Sequence, residues 1–284
     1  MTLREVLGSV ASVPFIDRVA TGDATQFPLP KQLPDLPGYL SLALQSGFPE
    51  AVLRLSGTAR DAWLEAYLQQ LLTRDAPGLA GLRDPSRLRR YFEAVALNSA
   101  GLPQDKTLYD AAGIDHRTAA SYDGLLSNLF VVEIVPAWTS SRFARLIKSP
   151  KRYVVDPALV AAALHLGAHA FLRDGDLLGR LLDTFVAAQL RPEVEVSRLR
   201  PRLFHFREKE GRREIDIVGE FSAGVIGLEV KATAAPGATD AEHLVFLRDR
   251  LGVRFAGGVV LHTGPRAFVL AERILALPIC ALWG

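Results

Sequence analysis

Cysteine and methionine are nearly absent from this chain of 284 residues, which contains one of each. The single cysteine, Cys280, cannot form an internal disulfide bond, and no spacing of cysteine and histidine typical of zinc sites occurs. We therefore expect a protein of a reducing compartment, the cytoplasm, that folds without disulfide bonds or zinc.

Long apolar segments are also lacking, since nowhere do about 18 uncharged apolar residues follow one another. Arg4 and Glu5 interrupt the N-terminal segment, which lacks the pattern of a secretory signal. The phosphate-binding pattern G-x-x-x-x-G-K-[ST] is missing too, because Ile147 occupies the position before Lys148 where glycine is required. The sequence thus predicts no membrane partner and no ATP site of this kind.

Lysine is scarce, with six residues among the 33 lysines and arginines. Arginine suits forked contacts with phosphate, but an arginine-rich composition also arises from the base composition of a genome. The formal net charge of +2 neither favours nor excludes nucleic acid as a partner. The apolar content of 49% is that of a globular protein, and the length predicts two or three modules.

The segment 212–233, RREIDIVGEFSAGVIGLEVKAT, predicts a β-hairpin. Apolar and β-branched residues dominate two runs, Glu214 to Glu220 and Val225 to Thr233, and a short turn interrupts them. Side chains alternate between the faces of a strand, so Glu229 and Lys231 point the same way. If the two strands pair, Asp216 joins them in one polar cluster.

This polar cluster has two interpretations. The first is an ion pair at the sheet surface, between Lys231 and either Glu229 or Asp216. The second is a site for a divalent cation, with both carboxylates and the carbonyl of Val230 as ligands and room for water and phosphate oxygens. In that site Lys231 would hold or polarise the attacking water.

An acidic residue in one strand followed by a strand with E-x-K resembles the PD-(D/E)XK nuclease-like core. The region from Leu72 to Ala232 more closely resembles a domain of unknown function that follows an AAA-type ATPase module in many bacterial and archaeal proteins. Five segments, in this order, carry that resemblance: LLTRDAPGL, RLIKSPKRYVVDPAL, GRLLDTFVAAQL, FHFREKEGRREIDIV and GLEVKA.

The resemblance implies a site for Mg²⁺, or Mn²⁺, with Asp216 and Glu229 as ligands and Lys231 as the catalytic lysine. It also implies an acidic residue from the preceding helix, which is Asp183 here. That position is usually glutamate in similar proteins, so the shorter Asp183 departs from the pattern. The chain resembles a member without its ATPase module, and an ATPase, on a separate chain or in a longer one, is an expected partner.

Residues 83–156 predict a winged-helix domain, in which a turn at Gly113 to Asp115 separates two helices and the second runs from His116 to Leu129. A strand and a basic ribbon follow. DNA is the partner this domain commonly binds, although many winged helices bind only proteins. The candidate phosphate contacts are Arg142, Arg145, Lys148, Lys151 and Arg152 in the ribbon and Arg117 in the helix, and Thr118, Ser121 and Tyr122 are further candidate readers.

The expected fold is a mixed α/β and α+β protein of three regions. Residues 1–82 form a helical region resembling the end of an ATPase module, residues 83–156 the winged helix, and residues 157–284 a nuclease-like αβββαβ core with a mixed sheet.

Two functions remain open. One is metal-dependent hydrolysis of phosphodiesters in DNA, and the other is a DNA- or protein-binding regulatory module that keeps the nuclease-like fold as a scaffold.

Overall fold

The computed structural model describes residues 1–10, 12–21, 27–76, 84–139, 145, 148–208 and 212–284. Its contacts divide the chain into two compact units. The helical unit comprises Ser41–Ile134 and Ser149–Phe185. The sheet unit comprises Met1–Leu40, Val135–Lys148 and Val186–Gly284, so it draws on both ends of the chain.

The helical unit contains a two-stranded sheet and several helices. Its strands are β1 (Val132–Val135) and β2 (Lys151–Val154). Two helices, α3 (Leu36–Leu44) and α11 (Gly175–Val196), continue into the sheet unit. The other helices are α4 (Pro49–Arg54), α5 (Gly57–Gln70) with a π-helical turn at Leu71–Asp75, α6 (Pro85–Leu97), α7 (Asp105–Ala112), α8 (His116–Asn128), α9 (Pro157–Leu164) and α10 (Ala168–Arg173).

Local sequence explains where these helices begin and end. Gly113 adopts a φ of 63°, which favours glycine and ends α7. The Asp115 carboxylate accepts hydrogen bonds from the backbone N–H groups of Arg117 and Thr118, which caps α8. Asp156 caps α9 in the same way, and Pro157 occupies its first turn.

The sheet unit is built on a six-stranded mixed sheet with the strand order β3-β4-β5-β6-β8-β7. The pairs β3–β4, β4–β5 and β7–β8 are antiparallel, and β5–β6 and β6–β8 are parallel. The elements besides α3 and α11 are α1 (Leu3–Val6), α2 (Phe15–Val19), β3 (Arg202–Arg207), β4 (Glu214–Glu220), β5 (Val225–Lys231), α12 (Glu242–Leu251), β6 (Phe255–His262), β7 (Phe268–Ala271) and β8 (Ile274–Pro278).

Two glycines allow helices to approach the central strands closely. A Cβ atom at Gly227 of β5 would lie 2.6 Å from Leu244 Cδ2 of α12. Because side chains alternate along β5, Gly227, Glu229 and Lys231 share this face. A Cβ atom at Gly257 of β6 would lie 2.3 Å from the carbonyl oxygen of Val19 in α2. The glycine at position 227 thus brings α12 down beside the polar cluster.

The mixed α and β fold with a mixed sheet confirms the coarse sequence prediction, including the predicted hairpin. Its second strand ends at Lys231, two residues earlier than expected. The segment 165–176 contains the short helix α10. The division into three regions at residues 82/83 and 156/157 stays a prediction.

Candidate functional site

Asp216 lies where the paired strands β4 and β5 separate. The antiparallel register places Ile217 opposite Leu228, one step before Asp216 and Glu229. At this point a side-chain oxygen serves as the hydrogen-bond acceptor in place of a backbone carbonyl. Asp216 Oδ2 accepts a hydrogen bond from the N–H of Val230 at 2.9 Å. The carboxylate is therefore fixed at the same end of the hairpin as Glu229.

Glu229 and Lys231 form an ion pair on the face that α12 covers. Lys231 Nζ lies 3.2 Å from Glu229 Oε2. The Glu229 side chain is 3% exposed, whereas that of Lys231 is 33% exposed. The carboxylate is therefore buried, whereas part of the lysine side chain reaches solvent.

His243, near the start of α12, completes the cluster. Its Nδ1 lies 3.7 Å from Glu229 Oε1, beyond hydrogen-bonding distance, and donates to the carbonyl oxygen of Glu214 at 2.7 Å. Glu229 Oε1 has no hydrogen-bond partner among the described residues. This histidine was not predicted from the sequence, although it stands one residue before Leu244, which packs on Gly227.

The ionisation of the cluster is strongly perturbed. Burial, followed by the charge of Asp216, raises the pKa of Glu229 to about 7, although His243 and Lys231 act in the opposite direction. Burial alone would lower the pKa of Lys231, but Glu229 and Asp216 outweigh it and raise that pKa. The contact with Glu229 raises the pKa of His243. Near neutral pH, Glu229 is therefore only partly ionised.

The raised pKa of Glu229 predicts a pH-dependent stability. Between its ordinary pKa of 4.5 and about 7, the folded state holds a proton that the unfolded state releases, so stability falls as pH rises through this window. The raised pKa of His243 acts in the same direction. We expect wild-type protein to lose about 1–2 kcal/mol more free energy of unfolding between pH 5 and 8 than Glu229→Gln does. Urea denaturation at several pH values in this range measures how the free energy of unfolding of each protein changes with pH.

A surface control separates this effect from general acid effects. Glu93 belongs to an exposed ion pair with Arg89, so Glu93→Gln should keep the wild-type pH slope. Equal slopes for wild type and Glu229→Gln would show that Glu229 titrates in the folded protein as it does in the unfolded chain.

Asp183, the predicted acidic residue from the preceding helix, lies in the helical unit. Its Oδ2 accepts from Lys151 Nζ at 2.7 Å, and its Oδ1 accepts from the Tyr153 hydroxyl at 3.2 Å. Both partners come from β2. The structure thus gives Asp183 a place in a buried ion pair, while Asp216, Glu229 and Lys231 belong to the sheet unit.

The same pair sets the surroundings of Lys151. Its side chain is fully buried beside Asp183, and its predicted contact with phosphate stays a prediction. Arg152, predicted as its neighbour in the ribbon, pairs with Asp123 and Asp105 at 2.7 and 2.8 Å and is mostly buried. The charge of Arg152 is therefore already compensated by two carboxylates.

The remaining predicted phosphate contacts differ in their surroundings. Arg145 forms a forked pair with Glu220, at 2.5 and 2.9 Å, and lies over the ring of Phe204. Lys148 is exposed and donates to a backbone carbonyl oxygen. Arg117 is exposed at the start of α8, and Tyr122 is buried and cannot read a base from its present position. Arg142 lies outside the described residues.

The donor set does not fit a preformed magnesium site. One oxygen of Asp216 accepts the Val230 N–H, and one oxygen of Glu229 faces the Lys231 ammonium. Across the described ranges, no three aspartate, glutamate, histidine or cysteine side chains are grouped to hold one metal ion. Magnesium prefers accessible, ionised oxygens, whereas Glu229 is buried and flanked by a cation and an imidazole.

Two family descriptions match the chain. Residues 37–170 match "Domain of unknown function (DUF8612)", and residues 178–282 match "Domain of unknown function (DUF4143)". The second is a domain that follows AAA-type ATPases.

Within the described residues, no helix combines the length and apolar character needed to cross a bilayer.

Two curated mycobacterial proteins are similar to this chain. They are "Uncharacterized protein Mb2031c" of Mycobacterium bovis and "Uncharacterized protein Rv2008c" of Mycobacterium tuberculosis, each 25% identical over 238 residues. The match covers 84% of this chain and 52% of each relative, so the chain spans about half their length. The crystal structure of protein VC1899 from Vibrio cholerae aligns with a TM-score of 0.28 and 12% identity, over 88% of this chain and 59% of that one.

Proposed function

We propose that this chain is a non-catalytic binding module that works with an AAA-type ATPase, and that its sheet unit keeps a PD-(D/E)XK nuclease-like core as a scaffold. The order of α11, β3, β4, β5, α12 and β6 supports this core, because it follows the αβββαβ pattern. The similarity of residues 178–282 to a domain that follows such ATPases supports the partner.

The main support for a non-catalytic function is the burial and ionisation state of Glu229. A metal-dependent nuclease needs ionised carboxylates open to a cation and to a phosphodiester. Glu229 is instead buried, partly protonated near neutral pH and paired with Lys231. These features are those of a buried carboxylate beside a lysine, and they differ from those of an open metal ligand.

The charges of the predicted DNA-binding ribbon favour a protein partner over DNA. Lys151, Arg152 and Arg145 each pair with carboxylates of this chain. A surface that binds the DNA backbone keeps its cations available to release counterions from phosphate. We therefore place an ATPase module, rather than DNA, first among the partners.

A second candidate is a metal-dependent nuclease, which one observation favours. Asp216, Glu229 and Lys231 come together at one end of β4 and β5, as the E-x-K pattern requires. Polar clusters with perturbed pKa values also occur preferentially at active sites.

A cleavage assay separates the two candidates. Supercoiled plasmid and single-stranded DNA are incubated with Mg²⁺ or Mn²⁺ and with wild type, Glu229→Gln or Lys231→Ala. We expect no cleavage above a protein-free blank for any of the three proteins. Cleavage by wild type that both variants lose would overturn the non-catalytic proposal, while equal cleavage by all three would reveal a contaminating nuclease. Co-purification with a separately expressed ATPase module of a similar protein then tests the proposed partner.

A further inference from the structure

A cavity of about 340 Å³ opens in the sheet unit between the N-terminal residues and the end of α11. Val10, Val13 and Val196 line it, and all three are largely exposed. Pro14 and Pro192 extend the apolar wall. A concave apolar surface with a few polar groups is typical of sites for small ligands, and large apolar side chains clustered at the surface mark interaction sites.

A buried ion pair also lines this cavity. Arg4 Nη1 donates to Glu193 Oε1, and both residues are more than nine-tenths buried. Arg4 Nη2 donates to the backbone oxygen of Ser12 at 2.6 Å. Arg4 Nε is buried and has no hydrogen-bond partner among the described residues. The arginine therefore keeps an unused donor in a nearly dry setting, where a charged hydrogen bond is strong.

Arg18 supplies a second buried cation beside this pair. Burial lowers the pKa of Arg18, Arg4 lowers it further and Glu193 raises it, which shows that the three charges interact. Arg18 Nη1 also has no partner within the described part of the chain. The buried charged groups here are thus two guanidiniums and one carboxylate, and an uncompensated buried charge is costly.

The other charged groups around the cavity do not offset this surplus. Asp17 directs its carboxylate to the Ser197 hydroxyl and to the backbone N–H of Arg198. Glu5 lines the exposed mouth and accepts hydrogen bonds from Thr2. Arg198 lines the mouth as well and contributes a further positive charge. An anion is therefore the ligand that these charges favour.

We propose that this cavity binds a small amphipathic carboxylate. The ligand's carboxylate accepts hydrogen bonds from the Arg4 guanidinium, and its alkyl chain packs against Val10, Val13 and Val196. The cavity is large enough for a chain of several carbon atoms. The inference does not depend on the proposed function, because the cavity and the Glu229 cluster share no residue.

Titration with hexanoate, hexan-1-ol and hexylamine, followed by protein NMR, tests the proposal. These probes share one chain length and differ in the charge of the head group. We expect hexanoate to bind about tenfold more tightly than hexan-1-ol, since a hydrogen bond to a charged group is stronger than one to a neutral group. Hexylamine should bind least. Equal affinities for hexanoate and hexan-1-ol, or no saturable binding of hexanoate, would overturn the proposal.

Two variants and a control locate the site. Val196→Asp places a negative charge on the exposed wall and should weaken hexanoate binding about tenfold or more, whereas Val253→Asp, at a residue that is 97% exposed elsewhere in the sheet unit, should not. Arg18→Met removes the surplus charge, keeps the Arg4–Glu193 pair and should reduce the preference for hexanoate over hexan-1-ol to within about threefold. Unchanged hexanoate binding in Val196→Asp would exclude this cavity.

Discussion

Lys151→Met should lower the free energy of unfolding by about 3–5 kcal/mol, the usual cost of breaking a buried ion pair on one side. Lys151 is fully buried and lies 2.7 Å from Asp183. Without the ammonium, the Asp183 carboxylate keeps the Tyr153 hydroxyl but loses its compensating charge. Urea denaturation followed by circular dichroism measures the change.

A matched surface pair provides the control. Arg89 and Glu93 form an exposed ion pair in the same helical unit, so Arg89→Met should cost less than about 1 kcal/mol. The double variant Lys151→Met/Asp183→Leu should recover much of the lost stability, because apolar residues of similar volume often replace a buried pair well. A cost for Lys151→Met no larger than that for Arg89→Met would contradict the role of this pair.

Gly264→Ala should destabilise the sheet unit by about 1–3 kcal/mol, the range expected for overpacking. A Cβ atom at Gly264 would lie 1.8 Å from the carbonyl oxygen of Ala234, three residues beyond Lys231. This is backbone, which cannot turn away as a flexible side chain does. The loop after β5 must therefore move, and with it the hydrogen bond from Thr263 N–H to Thr233 O. Thermal denaturation measures the cost.

Gly237→Ala serves as the control for this substitution. Gly237 lies in the same loop region, and a Cβ atom there would have no neighbour within 4 Å. Its φ of −114° suits alanine, and its N–H remains available to Asp240. We expect a change within about 0.5 kcal/mol. If the two alanine variants behaved alike, the close approach at Gly264 would not limit stability.

Local signals in the sequence predicted the hairpin and the helix that begins at His116. Runs of apolar and β-branched residues located β4 and β5, and the turn at Gly113 to Asp115 located the start of α8, because these signals act between residues close in the chain. The alternation of side chains along a strand placed Glu229 and Lys231 on one face. Their pairing in the structure agrees with the first of the two interpretations of the polar cluster.

Partners distant in the chain could not be predicted from local signals. From the sequence alone, the run of basic residues that includes Lys151 and Arg152 was predicted to be a solvent-exposed ribbon. In the structure both residues pair with carboxylates from other parts of the chain. Asp183 follows Lys151 by 32 positions, and Asp123 precedes Arg152 by 29. Likewise, Arg4 precedes its partner Glu193 by 189 positions, so local signals did not predict this buried pair.

The sheet unit joins segments that are synthesised far apart in time, because α2 packs on β6. Val19 contacts Gly257, which the ribosome adds 238 residues later. At about 5–20 residues per second, that delay is roughly ten seconds to a minute. During this interval Val19, which is buried in the folded protein, lacks its contact with β6. Until β6 is made, the nascent chain thus offers part of this apolar segment to chaperones.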